Sequence, residues 1–163
     1  MIPDKFLKYN PVLFARGKRG LVYTFLKDNK TYALKIKNPN STAQYRLEIE
    51  ASFLKKLNRY KIGPKIITTG DDYLCYVFIP GITLKEYLKN NKNINKVLDE
   101  IKRQCELLDK LKINKEEFHR PLKNIIITKN NKPVLIDFER CHYTERPKNV
   151  NQFNEFLRRI KIR

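Results

Sequence analysis

The chain has 163 residues, a length that suits one domain or two small lobes sharing a core. Hydrophobic residues make up 41% of the chain, which excludes a disordered protein, and no apolar run approaches the roughly 18 residues needed to span a bilayer. With 35 Lys and Arg against 17 Asp and Glu, the formal charge is +18, which predicts attraction to phosphates or acidic partners unless the basic surface is simply solvated.

The first half of the chain is predicted to be rich in β-strands. The elements expected there are strands over 21–26 and 31–36, a helix between Ser41 and Gly63, and strands over 65–69 and 73–79. The turn residues Asp28-Asn29-Lys30 make the first two strands a predicted hairpin. Ser41 and Gln44 form a capping-box pattern at the start of the helix, which Gly63-Pro64 should stop.

The second half is predicted to be mainly helical. Its expected elements are a helix capped by Thr83 and Glu86, a helix over 94–111, a short hairpin of 124–127 with 133–136, and a closing helix over 150–160. A β-rich first half followed by a helical second half indicates the α+β class.

The first candidate site residues are two glycines and a lysine. Gly17 and Gly20 lie in a basic turn before the strand that carries Val22, where their backbone N–H groups could approach phosphate oxygens; two such glycines also suit an ordinary turn. Lys35 lies inside an apolar strand, where an ammonium group needs a partner. Glu50 in the following helix is the expected partner, and Glu48 is its competitor.

The second set of candidates is Asn124 and Asp137, which lie 13 positions apart across the short hairpin. The hairpin should bring the Asn124 amide oxygen and the Asp137 carboxylate to the same end of two paired strands. Both are hard oxygen ligands suited to Mg²⁺. Taken alone, Asp137 could instead cap the N-terminus of a helix.

In their order along the chain, these residues resemble the motifs of the protein-kinase-like fold. The matching positions are Gly17, Gly20 and Val22 for the glycine-rich loop, Ala33-Leu34-Lys35 for the VAIK motif, Glu50 for the helix-C glutamate, Asn124 for the catalytic-loop asparagine, and Asp137-Phe138-Glu139 for DFG. Ala15 stands where the first glycine of the loop would be.

The resemblance implies a bilobal fold with a β-rich N-lobe over 1–79 and a truncated helical C-lobe over 80–163. Asp-Phe-Glu in place of Asp-Phe-Gly, together with the segment from His119 to Asn124, is similar to small prokaryotic predicted Ser/Thr kinases, and more distantly to the KEOPS-complex kinase and the RIO kinases. Few residues follow Asp137, so an activation segment and a large peptide-docking subdomain are not expected.

The resemblance also implies a role for each residue around ATP and Mg²⁺. The loop with Gly17 and Gly20 would cover the phosphates, and Lys35, paired with Glu50, would bind the α- and β-phosphates. Asn124 and Asp137 would hold Mg²⁺. The adenine would be enclosed by Val22 and Ala33 and read by the backbone at Val77 and Ile79.

The catalytic base departs from the family pattern. Kinases place an aspartate five residues before the asparagine, and here that position is His119. Glu117, seven residues before Asn124, could serve instead if Arg120-Pro121 is an insertion, or neither residue acts. Lys123 is a candidate to neutralise the transferred phosphate.

The resulting hypothesis is ATP- and Mg²⁺-dependent transfer of phosphate to Ser or Thr of an unknown protein, which could be the chain itself. The alternative is a nucleotide-binding pseudokinase or an ATPase-like subunit of an RNA-modifying assembly, with RNA or an acidic protein bound through the basic surface. Three cysteines without a CxxC pair and an N-terminus without a signal-peptide pattern indicate a cytoplasmic protein with no membrane partner.

Overall fold

The computed structural model describes residues 1–42 and 46–160. This part of the chain contains five α-helices and three antiparallel sheets, which confirms the predicted α+β class. It divides into two compact units, Met1–Phe78 and Ile79–Arg163. None of the described helices is both long and apolar enough to cross a membrane.

The first unit is built on a five-stranded sheet. Its elements are α1 (Asp4–Leu7), β1 (Val12–Arg16), β2 (Gly20–Lys27), β3 (Lys30–Lys37), α2 (Leu47–Leu57), β4 (Ile66–Gly70) and β5 (Tyr73–Val77). The strand order is β1-β2-β3-β5-β4, and all neighbours are antiparallel. The predicted β2–β3 hairpin is confirmed; its two turn residues, Asp28 and Asn29, have the positive φ angles that a tight hairpin turn requires.

The two faces of this sheet serve different purposes. Val22 is directly opposite Lys35, and Ala33 lies two residues before Lys35, so these three side chains share one face. The other face carries a hydrophobic core to which α1 contributes a ring. The buried residues of that core are Phe6, Leu21, Phe25, Leu34, Ile36, Tyr73 and Cys75.

Helix α2 ends before the predicted stop at Gly63. Leu54 and Leu57 are buried at its end, as the apolar stripe predicts. The Asn58 side chain then donates hydrogen bonds to the carbonyls of Ile62 (3.1 Å) and Pro64 (2.9 Å), so this asparagine organises the turn that leads into β4. Gln44, of the predicted capping box, lies outside the described residues.

The second unit combines three helices with short strands. Its elements are β6 (Ile82–Thr83), α3 (Leu84–Asn90), α4 (Asn95–Lys110), β7 (Ile113–Asn114), β8 (Ile125–Ile127), β9 (Pro133–Leu135), β10 (His142–Tyr143) and α5 (Asn149–Ile160). The three predicted helices, the β8–β9 hairpin and the Thr83–Glu86 capping box are confirmed. β6 extends the hairpin to a sheet in the order β6-β8-β9, and β7 pairs with β10.

All three cysteines are buried thiols. Cys75 lies in β5, Cys105 in α4, and Cys141 between β9 and β10. Burial raises the pKa of Cys75 to about 11 and also raises the pKa of Cys105. Near neutral pH these two residues are therefore protonated thiols that pack as small apolar side chains.

Candidate functional site

The glycine-containing turn between β1 and β2 is fastened to the end of β3. The Gly17 N–H donates to the Gly20 carbonyl at 2.8 Å, which closes the turn. Asn38, which is buried, donates from its side chain to the Gly17 carbonyl (3.1 Å) and from its backbone to the Arg19 carbonyl (2.9 Å). Asn38 precedes Pro39, a pattern that indicates only a break after the strand, so the sequence does not predict that Asn38 holds this loop.

Lys35 and Glu50 form a buried ion pair. The Lys35 Nζ lies 2.6 Å from the Glu50 carboxylate, and only 12% and 4% of the two side chains are exposed. The predicted partner is confirmed, since Glu48 is exposed to solvent. The pair joins α2 to the sheet face that carries Val22 and Ala33, and it fixes one positive charge on that face.

The other predicted nucleotide contacts fall at different places. Ala33 is fully buried, and Val22 is half-buried next to Lys35. The Val77 N–H donates to the Lys65 carbonyl at 2.9 Å, so that donor is already used within the first unit. Ile79 is the first residue of the second unit. Backbone groups other than the Val77 N–H would therefore have to form the hydrogen bonds to an adenine.

In the second unit, the hairpin brings Asn124 and Asp137 to the same end, as their spacing predicts. Ile125 pairs with Leu135, and the Ile136 N–H donates to the Asn124 carbonyl at 2.9 Å, which extends the pairing to the residues next to both candidates. Asp137 has a φ of 65°, a left-handed conformation that aspartate tolerates better than most residues. Such backbone conformations concentrate at functional sites.

Glu117 joins this end of the hairpin. The Asn124 amide donates to the Glu117 carboxylate at 2.5 Å. The Lys115 Nζ lies 3.3 Å from the same carboxylate and donates to the backbone carbonyl of Asp137 at 2.8 Å. It also lies 5.2 Å from the centre of the Phe138 ring. One lysine thus connects the Glu117 side chain to the backbone of Asp137.

The environment of Glu117 favours its protonated form. Burial raises the pKa of the Glu117 carboxyl; the Lys115 ammonium opposes this and the negative charge of Asp137 adds to it, so that the pKa stays above its ordinary value. The Lys115 side chain is only 2% exposed, so its charge is shielded from solvent. A carboxylate with a raised pKa, next to a fixed ammonium, is suited to accept a proton.

His119 and Lys123, the other predicted catalytic residues, lie on the surface. Both are exposed, and Phe118, between Glu117 and His119, is buried. The His119 carbonyl accepts a hydrogen bond from the Arg159 guanidinium of α5. The structure therefore places Glu117, and not His119, in contact with Asn124.

The oxygen atoms gathered here suit a hard cation. An amide oxygen of Asn124 and carboxylate oxygens of Asp137 are the ligand types that Mg²⁺ prefers. Within residues 1–42 and 46–160, no three His, Cys, Asp or Glu side chains form a metal-ligating group. A cation here would therefore depend on the amide of Asn124, and on water or phosphate oxygens for its remaining ligands.

Asn149, which the sequence pattern did not single out, supports the segment that carries Lys115. Its side-chain oxygen accepts from the Lys115 N–H at 2.9 Å. Its amide nitrogen donates to the Asp109 carboxylate and to the Ile113 carbonyl, each at 2.7 Å. Asn149 is fully buried, so one side chain ties α5 to the end of α4 and to β7.

The two units thus carry distinct clusters. In the first, the Lys35–Glu50 pair lies on the sheet face that also carries Val22 and Ala33. In the second, Lys115, Glu117 and Asn124 meet beside the backbone of Asp137. Neither the comparison with protein-family models nor the search of curated proteins gave a match for this chain.

Proposed function

We propose that this chain is a minimal protein-kinase-like enzyme that transfers phosphate from ATP, with Mg²⁺, to Ser or Thr hydroxyls of a protein, the chain itself being one candidate acceptor. In this proposal the two compact units correspond to the two lobes of that fold. The observation that carries the proposal is the hydrogen bond from Asn124 to Glu117 at the end of the hairpin that leads into Asp137. It joins a candidate base to one candidate metal ligand, Asn124, and the hairpin places the other, Asp137, at the same end.

Each residue then has one task. Lys35, held by Glu50, binds phosphate oxygens, and Asn124 and Asp137 hold Mg²⁺, which when bound neutralises charge on the phosphates. Glu117 accepts the proton of the acceptor hydroxyl. At the same time the hydroxyl oxygen forms a bond to the γ-phosphorus, and the bond between that phosphorus and the leaving ADP oxygen breaks. Lys115 keeps the Glu117 carboxylate beside Asn124.

Substitution of the base provides the direct test. Transfer from γ-labelled ATP should fall by about 10²–10⁴-fold in Glu117→Gln, because no carboxylate remains to accept the proton. Glu116→Gln is the matched control, since it removes the same charge from an exposed neighbour, and it should transfer at the wild-type rate. Thermal stabilisation by Mg-ATP should persist in both variants, because Glu117 is not assigned to nucleotide binding.

The pH dependence provides an independent measurement. A base must be deprotonated to act, and the pKa of Glu117 is raised, so the acidic limb of the rate profile should lie at higher pH than for an ordinary glutamate. The transfer rate should therefore increase with pH through that limb, and the limb should be absent from the residual rate of Glu117→Gln.

Two results would contradict the proposal. The first is equal labelling by the wild type, Glu117→Gln and Asp137→Asn, which would assign the transfer to a contaminant or to another site. The second is Mg-ATP binding by the wild type with no transfer to itself or to any protein offered, which would support the pseudokinase alternative instead.

A further inference from the structure

The first unit has a pocket on the sheet face opposite to Lys35. Its volume is about 270 Å³, and it is lined by residues of α1 and of the hydrophobic core on that face. Its walls include three lysines and four aromatic rings: Lys5, Lys8, Lys27, Phe6, Tyr9, Phe25 and Tyr32. Because Phe25 and Lys35 belong to opposite faces of the sheet, this pocket is separate from the face assigned above to ATP.

Three of these rings, those of Tyr9, Phe25 and Tyr32, form a continuous stack. The centres of Tyr9 and Phe25 are 5.3 Å apart with planes inclined by 20°, and those of Phe25 and Tyr32 are 5.5 Å apart at 21°. Phe25, the middle ring, is buried in the core and is therefore held in place, whereas both tyrosines are half-buried and keep exposed surface. Aromatic platforms of this kind accept nucleic-acid bases of any sequence.

Positive charge surrounds the stack. The ammonium groups of Lys8 and Lys27 lie 5.1 and 5.8 Å from the centre of the Tyr9 ring, and both side chains belong to exposed residues. Lys5 is held by a hydrogen bond to the Tyr73 hydroxyl and lies 4.5 Å from the centre of that ring. Among the described residues that line the pocket there is no Asp or Glu, so an anionic ligand would meet no carboxylate on its walls.

We propose that this pocket binds single-stranded nucleic acid: the Lys8 and Lys27 ammonium groups turn from the Tyr9 ring to neighbouring phosphates, and a base stacks on that ring. The combination of a basic rim and an aromatic platform favours this ligand over an acidic peptide, whose carboxylates would use the lysines but leave the rings without a role. The net charge of +18 adds long-range attraction to the strand.

The lysines are tested with a labelled 12-nucleotide single-stranded RNA by fluorescence anisotropy. Lys8→Gln/Lys27→Gln should weaken RNA binding about tenfold. The negative slope of log K against log salt should become shallower by about 1.4, the value for two phosphate contacts on a single strand. The control is Lys92→Gln/Lys96→Gln, which removes the same charge from exposed positions of the second unit and should change the affinity less than about twofold.

The aromatic stack is tested with Tyr9→Leu, which keeps an apolar side chain but removes the ring. It should weaken RNA binding about tenfold and leave the binding of a polyphosphate chain of equal charge unchanged, because polyphosphate has no bases to stack. The thermal melting curve of the variant establishes that it is folded; if it is not, the lysine pair alone decides.

Three outcomes would overturn the proposal. Equal weakening by the two double variants would show that only total charge matters. If polyphosphate binds as tightly as RNA, the pocket does not contact the nucleic-acid bases. If poly-glutamate binds as tightly as RNA, the partner is an acidic protein instead. Full displacement of the RNA by saturating Mg-ATP would place the strand at the nucleotide site. None of these results bears on phosphoryl transfer, so this proposal and the proposed function can fail separately.

Discussion

At the scale of single residues, the buried charges carry the largest energetic consequences. An ion pair removed from water gains little over an apolar pair of similar size, but an unpartnered buried charge is costly. Glu50 is only 3% exposed, and its carboxylate faces the Lys35 ammonium at 2.6 Å. Loss of the lysine would therefore leave a negative charge in a poorly solvated place.

Substitution of Lys35 by methionine should lower the free energy of unfolding by about 3 kcal/mol, because Glu50 loses its counter-charge. The double variant Lys35→Met/Glu50→Leu should recover most of that loss. In contrast, Arg103→Met, which breaks the exposed pair with Glu100, should cost less than about 1 kcal/mol. Urea denaturation measures all three, and similar losses for Lys35→Met and Arg103→Met would contradict a buried pair.

The sequence predicts some of these residue contacts and not others. A lysine inside the apolar Tyr-Ala-Leu-Lys strand needs a partner, and the next helix offers a carboxylate at the right distance along the chain, so the pairing of Lys35 with Glu50 could be foreseen. Lys115 resembles part of a surface charge run with Glu116 and Glu117. Its acceptor, the Asp137 carbonyl, lies 22 positions away and is brought near only by the fold.

At the scale of helices and strands, local patterns predict the elements that carry their own turn or spacing signal and miss those that depend on distant pairing. The β2–β3 hairpin and α4 are encoded by turn residues and by apolar spacing within one segment. β7 and β10 have two residues each and exist because they pair with one another across the chain, which leaves no periodicity to detect. The polar ties between elements, such as Asn149, are equally invisible in a single segment.

Asn149 provides a test of those ties. Asn149→Asp keeps the shape but replaces the amide donor by an acceptor, facing the Asp109 carboxylate and the Ile113 carbonyl. The free energy of unfolding should fall by about 3 kcal/mol or more, because two buried hydrogen bonds are lost and like charges meet. Asn151→Asp, an exposed change two positions along the same helix, should be nearly neutral in the same urea titration.

At the scale of the whole molecule, the charge balance opposes folding. A net charge of +18 on 163 residues creates repulsion that falls when the chain expands. Salt shortens the range of that repulsion to about 10 Å at 0.1 M. The composition alone predicts this effect, whereas the locations of unbalanced charge, such as the rim formed by Lys8 and Lys27, require the fold.

The melting temperature should therefore increase with ionic strength. Between 20 and 300 mM NaCl a gain of about 1 kcal/mol is expected, which corresponds to about 2–4 °C for a chain of this size. KCl at the same ionic strength should act equally, because screening does not distinguish the two cations. A lower melting temperature in high salt would mean that attractive ion pairs outweigh the repulsion.

The burial of all three thiols has a practical consequence for spectroscopy on this protein. Cys75, Cys105 and Cys141 are shielded from solvent, so maleimide and spin-label reagents should react with them slowly in the native state. A cysteine introduced at an exposed position, such as Lys96, would then take up the label selectively without removal of the native ones. Pairs of such labels would make distances within each unit measurable on an otherwise unaltered chain.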